Sequence, residues 1–540
     1  MRGLTIRLSK DTFLKGALIL TVAGIVVKLI GSVNRILLSR LLGGEGIGLY
    51  QMAYPIYLLA LSISSAGIPV AISIIVAEKV ALGDYRGASR VFRISLAVLA
   101  VTGLVFTFLL YFGAGWLIDA HFVRDPRAYY AIAVLAPAIF FVTILSSYRG
   151  YFQGMQRMTP TAVSQIVEQF FRVVTMILFA YLLMPHGIEF AAAGASFGAA
   201  PGAAAGLLVL IYFYWREKAS FRHRMDSQQL LSQESGVSII SRIVKLALPV
   251  SLANIMLPVV SSIDLFIVPA RLEVAGYSVE QATELFGYLT GMAVPLVNLP
   301  TILTASLAAS LVPAVSEAFT LNNPEQVLQR TKTAMRISNL ITIPAFVGIL
   351  LLAEPISLML YSTPNAGTSI AVMSIGVFLL GIHQVTTGVL QGLGRTTIPV
   401  VNMAVSAGVK IVMSWVLTAI PWFGIKGAAW ATNADFGVAA LLNMYFVYRY
   451  VGFALDIKDL FRAALAAAVM GGAVLLTYDV VMTKLLHNSV ATLLAITVGG
   501  VVYGFVLLLL GGVSKRDIER IPRVGGMAAK ILRSLGLLRR

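Results

Sequence analysis

Apolar runs of about 20 residues follow one another along almost the whole of this 540-residue chain, and that succession constrains its fold more than any single motif. A helix of that length just spans a hydrocarbon core of about 30 Å. Inside lipid every backbone amide must be paired within the protein, which leaves only helices and closed barrels. A barrel would be written as segments of about ten alternating residues, and the continuous runs exclude it. Runs beginning near Phe13, Gly48, Val91, Tyr129, Pro160, Ile188, Ile239, Leu285, Thr333, Ser369, Pro399, Ala428, Leu460 and Val490 give about fourteen spanning helices. The chain is 58% hydrophobic and 12% charged, with a mean hydropathy of +0.87, where a soluble domain carries roughly a quarter charged residues. The fold class is therefore an all-α polytopic membrane protein. Breakers such as Pro55, Gly67, Pro69, Pro137, Pro258, Pro295 and Pro300 predict bent helices whose freed backbone groups are satisfied by neighbours. The N-terminal apolar stretch is long, contains Lys28 and lacks a small-residue cleavage site, so it reads as an uncleaved first helix. No cysteine is present for disulfide or thiol chemistry.

The formal charge of +17 raises nucleic acid as a partner, and its distribution decides against it. Arg2, Arg7 and Lys10 precede the first helix, Lys79, Arg86, Arg90 and Arg93 follow the second, and Arg149 and Arg157 follow the fourth. The same side then receives Arg216, Lys218, Arg222, Arg224, Arg242 and Lys245, later Arg330, Lys332, Arg336, Arg395, Arg449, Lys458 and Arg462. Opposite loops are balanced by acids, as in Asp119, Arg124, Asp125 and Arg127. This alternation obeys the positive-inside rule with both termini cytoplasmic. From Lys515 to Arg540 the cations are interleaved with Val524, Met527, Ile531 and Leu535 at helical spacing, a pattern suited either to an amphipathic helix on anionic membrane lipids or to a solvated tail.

The chain also repeats. YFQGMQR at 151–157 is echoed by VLQGLGR at 389–395, so that Gln153 and Gln391, Gly154 and Gly392, and Arg157 and Arg395 all share an offset of 238. Arg172 falls on Lys410 at the same offset, and Glu78 on Glu317 at 239. Two homologous halves of six helices follow, in one orientation because six is even, with a central cleft suited to alternating access. The expected organisation is an N-lobe over 1–215, a linker over 216–237, a C-lobe over 238–450, two further helices over 451–512 and a basic tail over 513–540.

Charges inside a membrane are costly and mark cavities or pathways. Lys28 and Arg35 lie seven apart on one face of the first helix, with Asn34 beside them and no acid in that helix to neutralise them, which points to an anionic passenger. Glu168 and Arg172, four apart, form either a structural ion pair or part of the cavity lining. Asp264 is suited either to pairing with Lys410 or to binding a coupling cation, with Asn402 as a second candidate ligand. His383 reads as a satisfied core histidine. Enzyme readings fail: GASFG at 194–198 matches a nucleophile elbow but has no preceding strand, and its small residues suit close helix packing. The absence of a Gly-Lys dipeptide excludes a phosphate-binding loop, and the five His are too scattered for a metal site. No cofactor is expected; transport would draw on a Na+ or H+ gradient, the membrane potential or the substrate's own gradient.

TFLKGALIL, GSVNRILLSRLLGGEGIGLYQMAYP, GIPVAISIIVAEK with GDYRGASR, YRGYFQGMQRMTPTAVSQIVEQFFRV and HGIEFAAAGA together resemble the SpoVB/YtgP branch of the multidrug/oligosaccharidyl-lipid/polysaccharide (MOP) exporter superfamily, over essentially the whole chain. That branch is similar to the MurJ lipid II flippases, so the resemblance implies two six-helix lobes plus two extra helices. It also implies export of an undecaprenyl-diphosphate-linked saccharide, lipid II above all, for peptidoglycan or spore cortex, with cell-wall synthesis enzymes as further partners. VKLIGSVNRILLSRLLG resembles the flippases' first-helix motif, with Lys28 where they carry an arginine and Arg40 matching a later one. The family's further arginines in helices two and eight have no counterpart at Leu59 or between Tyr288 and Pro295, so diphosphate binding would lean on Lys28, Arg35 and the cations of helices five and eleven. The rival is a cation-coupled multidrug exporter of the MATE type, which shares the two-lobe plan but usually ends after twelve helices and favours cavity acids. A non-transporting scaffold would not need buried charges.

Overall fold

The computed structural model describes residues 2–65, 67–226, 234–485 and 487–512, and all regular structure among them is helical. The basic tail over 513–540 lies outside these residues. The chain forms two compact units, Met1–Ala270 with Ser278–Gly287, and Arg271–Tyr277 with Tyr288–Arg540. The first contains α1 (Arg2–Ser65), α2 (Ile68–Ala81), α3 (Tyr85–Asp119), α4 (Ala128–Gly154), α5 (Met158–Leu183), α6 (Ile188–Phe197), α7 (Ala199–Asp226), most of α8 (Gly236–Val274) and α9 (Val279–Phe286). The second contains α10 (Val294–Thr320), α11 (Pro324–Leu351), α12 (Ala353–Tyr361), α13 (Gly367–Met373), α14 (Ile375–Gly392), α15 (Thr397–Leu417), α16 (Ile425–Val451), α17 (Ile457–Leu485) and α18 (Asn488–Leu509). Eleven helical runs among the described residues are long and apolar enough to cross a membrane. The expected fourteen do not separate one by one: Ile19–Ala81 counts as a single apolar run of 63 residues, and α8 and α16 are not among the eleven.

These helices bury one stripe and leave large apolar side chains outside. Along α3, Val91, Phe92, Leu99 and Leu110 are buried, whereas Leu104, Phe108, Phe112 and Trp116 are exposed. Water would not tolerate such an exterior; lipid does. The core of the first unit gathers Ile72 and Ile75 of α2, Phe92 of α3, Tyr148 and Phe152 of α4, Leu210 of α7, and Ile239 and Ile243 of α8. In the second unit Leu311 and Val315 of α10, Met335 of α11, Val385 and Val389 of α14 and Val447 of α16 do the same.

The repeat is legible atom by atom. A Cβ on Gly150 or Gly154 of α4 would lie 2.7 Å from the Pro69 or Ser73 carbonyl of α2, and one on Gly388 or Gly392 of α14 would lie 2.8 Å from the Ala308 or Val312 carbonyl of α10. These are matching positions in the two halves, so the same backbone approach is built twice. The turn entering α3 has Gly83 at φ 73° and Asp84 accepting from the Gly87 amide; the turn entering α11 has Asn322 at φ 51° and Asn323 accepting from the Gln326 amide. Left-handed residue and side-chain cap thus recur in register.

Two polar clamps close the ends of the first unit. At one end Asp125, fully buried, accepts from the Arg127 guanidinium (2.7 Å) and the Thr283 hydroxyl of α9 (2.8 Å), and Arg127 also reaches Glu45 (2.5 Å). The Asp125 hydrogen bonds, seconded by Glu45, push the Arg127 pKa above its ordinary value despite partial burial. At the other end Lys79 holds Asp84 (3.5 Å) and Glu234 (3.2 Å), and Arg242 pairs with Glu78. The Ser238 hydroxyl first, and Lys79 next, hold Glu234 below the usual carboxylate range.

Candidate functional site

A charge cluster within the membrane spans of the first unit is centred on Glu168 of α5. Its Oε2 accepts from Arg149 of α4 (2.8 Å) and its Oε1 from Arg172 one turn further along α5 (2.7 Å), while Arg149 also donates to the Ser164 hydroxyl (3.1 Å). The three side chains are between 13% and 18% exposed, so most of their hydration is gone and the pairing must replace it. Glu168 and Arg172 do form the expected pair, but the pair is a triad. Arg149, read from sequence as a loop cation beyond the fourth helix, sits inside α4. One carboxylate between two guanidinium groups leaves a net positive charge in a poorly hydrated place. α7 packs close behind: a Cβ on Gly202 would lie 2.7 Å from Arg172 Cβ, and one on Gly198 would lie 2.9 Å from the Arg172 carbonyl. The glycines at 194, 198 and 202 are thus packing residues, and Ser196 of the elbow-like GASFG is buried against them.

α1 brings the predicted first-helix residues alongside. It is kinked at Gly43, where φ is 65° and ψ −167°, and the chain beyond the kink places Gln51 where its Oε1 accepts from Arg35 Nη1 (2.9 Å). Asn34 is buried against α5, its Nδ2 donating to Met176 Sδ (3.5 Å) and its Oδ1 without a partner among the described residues. Gly31 lies on the same flank, 3.4 Å from Gln169 Nε2 when given a Cβ. Lys28, one turn earlier, is exposed; among the described residues nothing pairs with its ammonium. Tyr50, Tyr54 and Tyr57, on the far side of the kink, form an aromatic ladder with centroids 5.6 and 5.9 Å apart, the first pair stacked and the second tilted at 40°, and lie within electrostatic reach of Arg172. Sequence reading passed over this ladder, although its i, i+4, i+7 spacing is the signal of a single helix face.

The second unit holds the matching station in a different chemical form. At the offset of 238, Arg149, Ser164, Glu168 and Arg172 correspond to Thr387, Asn402, Ser406 and Lys410. Asn443 of α16 joins the first two, donating to Thr387 Oγ1 (2.9 Å) and accepting from Asn402 Nδ2 (2.8 Å). Ser406 donates to Asp435 Oδ1 (2.5 Å), so the acid comes from α16 and not from α15 itself. Lys410 and Asn402 are buried. With one acid to one lysine this station is neutral, and the cation excess belongs to the first unit. Asp264 lies on α8 in the first unit, partly buried. His383 departs from expectation: its Nδ1 is buried without a partner among the described residues. Among those residues no group of three acids or histidines is placed to hold a metal.

Residues 13–319 match the family described as polysaccharide biosynthesis protein, and residues 249–416 match the MatE family. The chain is 31% identical to the stage V sporulation protein B of Bacillus subtilis (strain 168) over 519 residues, 96% of this chain and 99% of that one. It is 28% identical to the lipid II flippase MurJ of the same organism, over 94% of this chain and 97% of that one. A solved structure of lipid II flippase MurJ in an inward closed conformation superimposes with a TM-score of 0.67 at 17% identity, covering 93% of this chain and all of that one, which shows a shared fold.

Proposed function

This chain belongs to the polysaccharide biosynthesis protein family of the MOP superfamily, a multi-pass membrane protein and not an enzyme, and on that premise we propose that it is a flippase for an undecaprenyl-diphosphate-linked saccharide, lipid II foremost. The observation that carries this reading is the cation excess along α1, α4 and α5 of the first unit: Lys28, Arg35, Arg149 and Arg172 stand on these helices with Glu168 as the acid among them, and Asp264 lies apart on α8. A diphosphate carries two negative charges that cannot cross a 30 Å apolar core unaided, and guanidinium groups match phosphate oxygens in a fork geometry. Paired arginines of a triad can exchange part of their bonding to Glu168 for bonding to phosphate, while Lys28, with no partner among the described residues, offers a first contact. The prenyl chain can remain in lipid throughout. The positive-inside pattern supports residence in the cytoplasmic membrane with both termini in the cytoplasm.

Coupling to Na+ or H+ through Asp264, with Asn402 as a secondary candidate, belongs to the same proposal, as do spore cortex or vegetative peptidoglycan as destinations. The MatE match keeps a multidrug exporter as the second reading. The test is complementation of a flippase-depleted cell, with lipid-linked precursors quantified on each leaflet. Restored growth with precursor on the outer leaflet is the expected result. Drug efflux without any movement of precursor would transfer the assignment to the second reading.

A further inference from the structure

A cavity of about 340 Å³ in the second unit shares no residue with the candidate site described above and lies between α11 and the loop that leads into α17. That volume is at the lower end of the range for small-molecule sites, about 300–1,000 Å³. Its charged lining is mixed. Lys332 and Arg336 contribute two positive charges, Asp456 and Asp459 two negative ones, for a formal sum of zero. Leu340, Phe453 and Leu455 supply apolar wall beside them.

The bonding capacity left over is equally mixed. Among the described residues nothing pairs with the exposed Lys332 ammonium. Asp456 Oδ1 is committed to the α17 N-terminus, accepting from the amides of Lys458 (2.9 Å) and Asp459 (3.3 Å), and its second oxygen is engaged by no group among the described residues. Among the described residues Asp459 meets Arg336 and Arg462 at 3.5 Å each, which leaves its lone pairs short of good hydrogen bonds there. Asn339, also in the wall, has an Oδ1 with no partner among the described residues. A purely anionic ligand would gain Lys332 and face two carboxylates; a purely cationic one would face Lys332 and Arg336. Either would set like charge against like, at the exposed Lys332 or Asp456 and at the partly buried Arg336 or Asp459.

We infer that this cavity binds the headgroup of a zwitterionic aminophospholipid, a phosphatidylethanolamine. Its phosphate takes Lys332, its primary ammonium donates three hydrogen bonds toward Asp456, Asp459 and Asn339, and its glycerol backbone lies on the apolar wall. The occupant would brace a junction already tied by Arg336, whose guanidinium donates to the Gly512 carbonyl at the end of α18 (2.7 Å). The C-terminal helix pair and α11 are thereby held through one lipid-filled joint.

The test is lipid retention by the purified full chain, measured by native mass spectrometry after exchange into equimolar dioleoyl phosphatidylethanolamine, its N-monomethyl derivative, phosphatidylcholine and phosphatidylglycerol. Full N-methylation removes all three N–H donors, so phosphatidylcholine should be retained about tenfold less than phosphatidylethanolamine. Phosphatidylglycerol should fall by a similar factor. Lys332→Glu should lower phosphatidylethanolamine retention about tenfold as well. Should that variant fail to fold, the N-methyl series on the native chain decides alone. Equal or greater retention of phosphatidylglycerol or phosphatidylcholine overturns the inference, as does unchanged retention in Lys332→Glu. Competition by soluble phosphoethanolamine at the affinity of the lipid would assign the cavity to a free metabolite and overturn the lipid assignment.

Discussion

Lys28 and Arg149 each carry one positive charge in the same unit, yet their removal should read out differently. Lys28 is exposed and engaged by no acid among the described residues, so Lys28→Ala leaves no orphaned partner behind. Its expected phenotype is normal insertion and thermal stability with translocation reduced by about ten- to a hundredfold, the worth of one charge-assisted hydrogen bond. Arg149→Ala strips Glu168 of one of two guanidinium groups in a place only 13% exposed, and breaking such a pair costs about 3–5 kcal/mol. It should lower the melting temperature of the purified protein, and Arg149→Lys should recover part of the loss. Measuring both variants by thermal unfolding and by leaflet-resolved precursor assay separates a substrate contact from a structural ion. Equal destabilisation by Lys28→Ala would return that lysine to the packing. Lys28, Arg35 and the Glu168–Arg172 pair were legible because their charges sit mid-run and at helical spacing. Arg149 was not, because where a spanning helix stops is blurred by two or three residues at a basic end, and those few residues decide whether a cation counts as loop or lining.

At the scale of helices, the sequence repeat made a claim that the packing answers. Matching QG dipeptides suggested two halves; what they encode is the approach of α4 to the α2 backbone and of α14 to that of α10 at glycines 150, 154, 388 and 392. The partners of those glycines could not be read, because their contacts are carbonyls and leave no residue-type signature. Nor was it legible that α8, first of the second half in sequence order, packs Ile239, Ile243 and Ala247 into the core of the first unit. Gly154→Val and Gly392→Val should each force backbones apart and cost about 1–3 kcal/mol, by similar amounts because the sites are equivalent. Gly113→Val, where a Cβ would meet nothing within 4 Å, is the control and should be neutral. Detergent-solubilised thermal midpoints check all three. A large asymmetry between the two repeat sites would mean that the halves share register without sharing load.

For the molecule as a whole, the proposed diphosphate passenger raises the question of what would drive a doubly negative headgroup outward. Each elementary charge moved through 100 mV gains about 2.3 kcal/mol, so a diphosphate leaving a cytoplasm held negative inside gains about 4.6 kcal/mol from the potential alone. That corresponds to a transmembrane accumulation on the order of a thousandfold, enough to make ATP unnecessary. A coupling cation would be a second, separable source. If Asp264 takes that cation, Asp264→Asn should flatten the dependence of translocation on sodium or pH while leaving its dependence on voltage in place, since the substrate's own charge is untouched. The measurement is flipping in proteoliposomes with a potassium-diffusion potential set independently of the sodium and proton gradients. Dependence on voltage and on the cation gradient in the native chain, reduced to voltage alone in Asp264→Asn, is the expected pattern. An unchanged cation dependence would remove Asp264 from the coupling path and leave it a structural acid of α8. Loss of voltage dependence in the native chain itself would mean that the diphosphate crosses with its charge fully compensated by a moving counter-ion, and the cation excess of the first unit would then serve binding and not energetics.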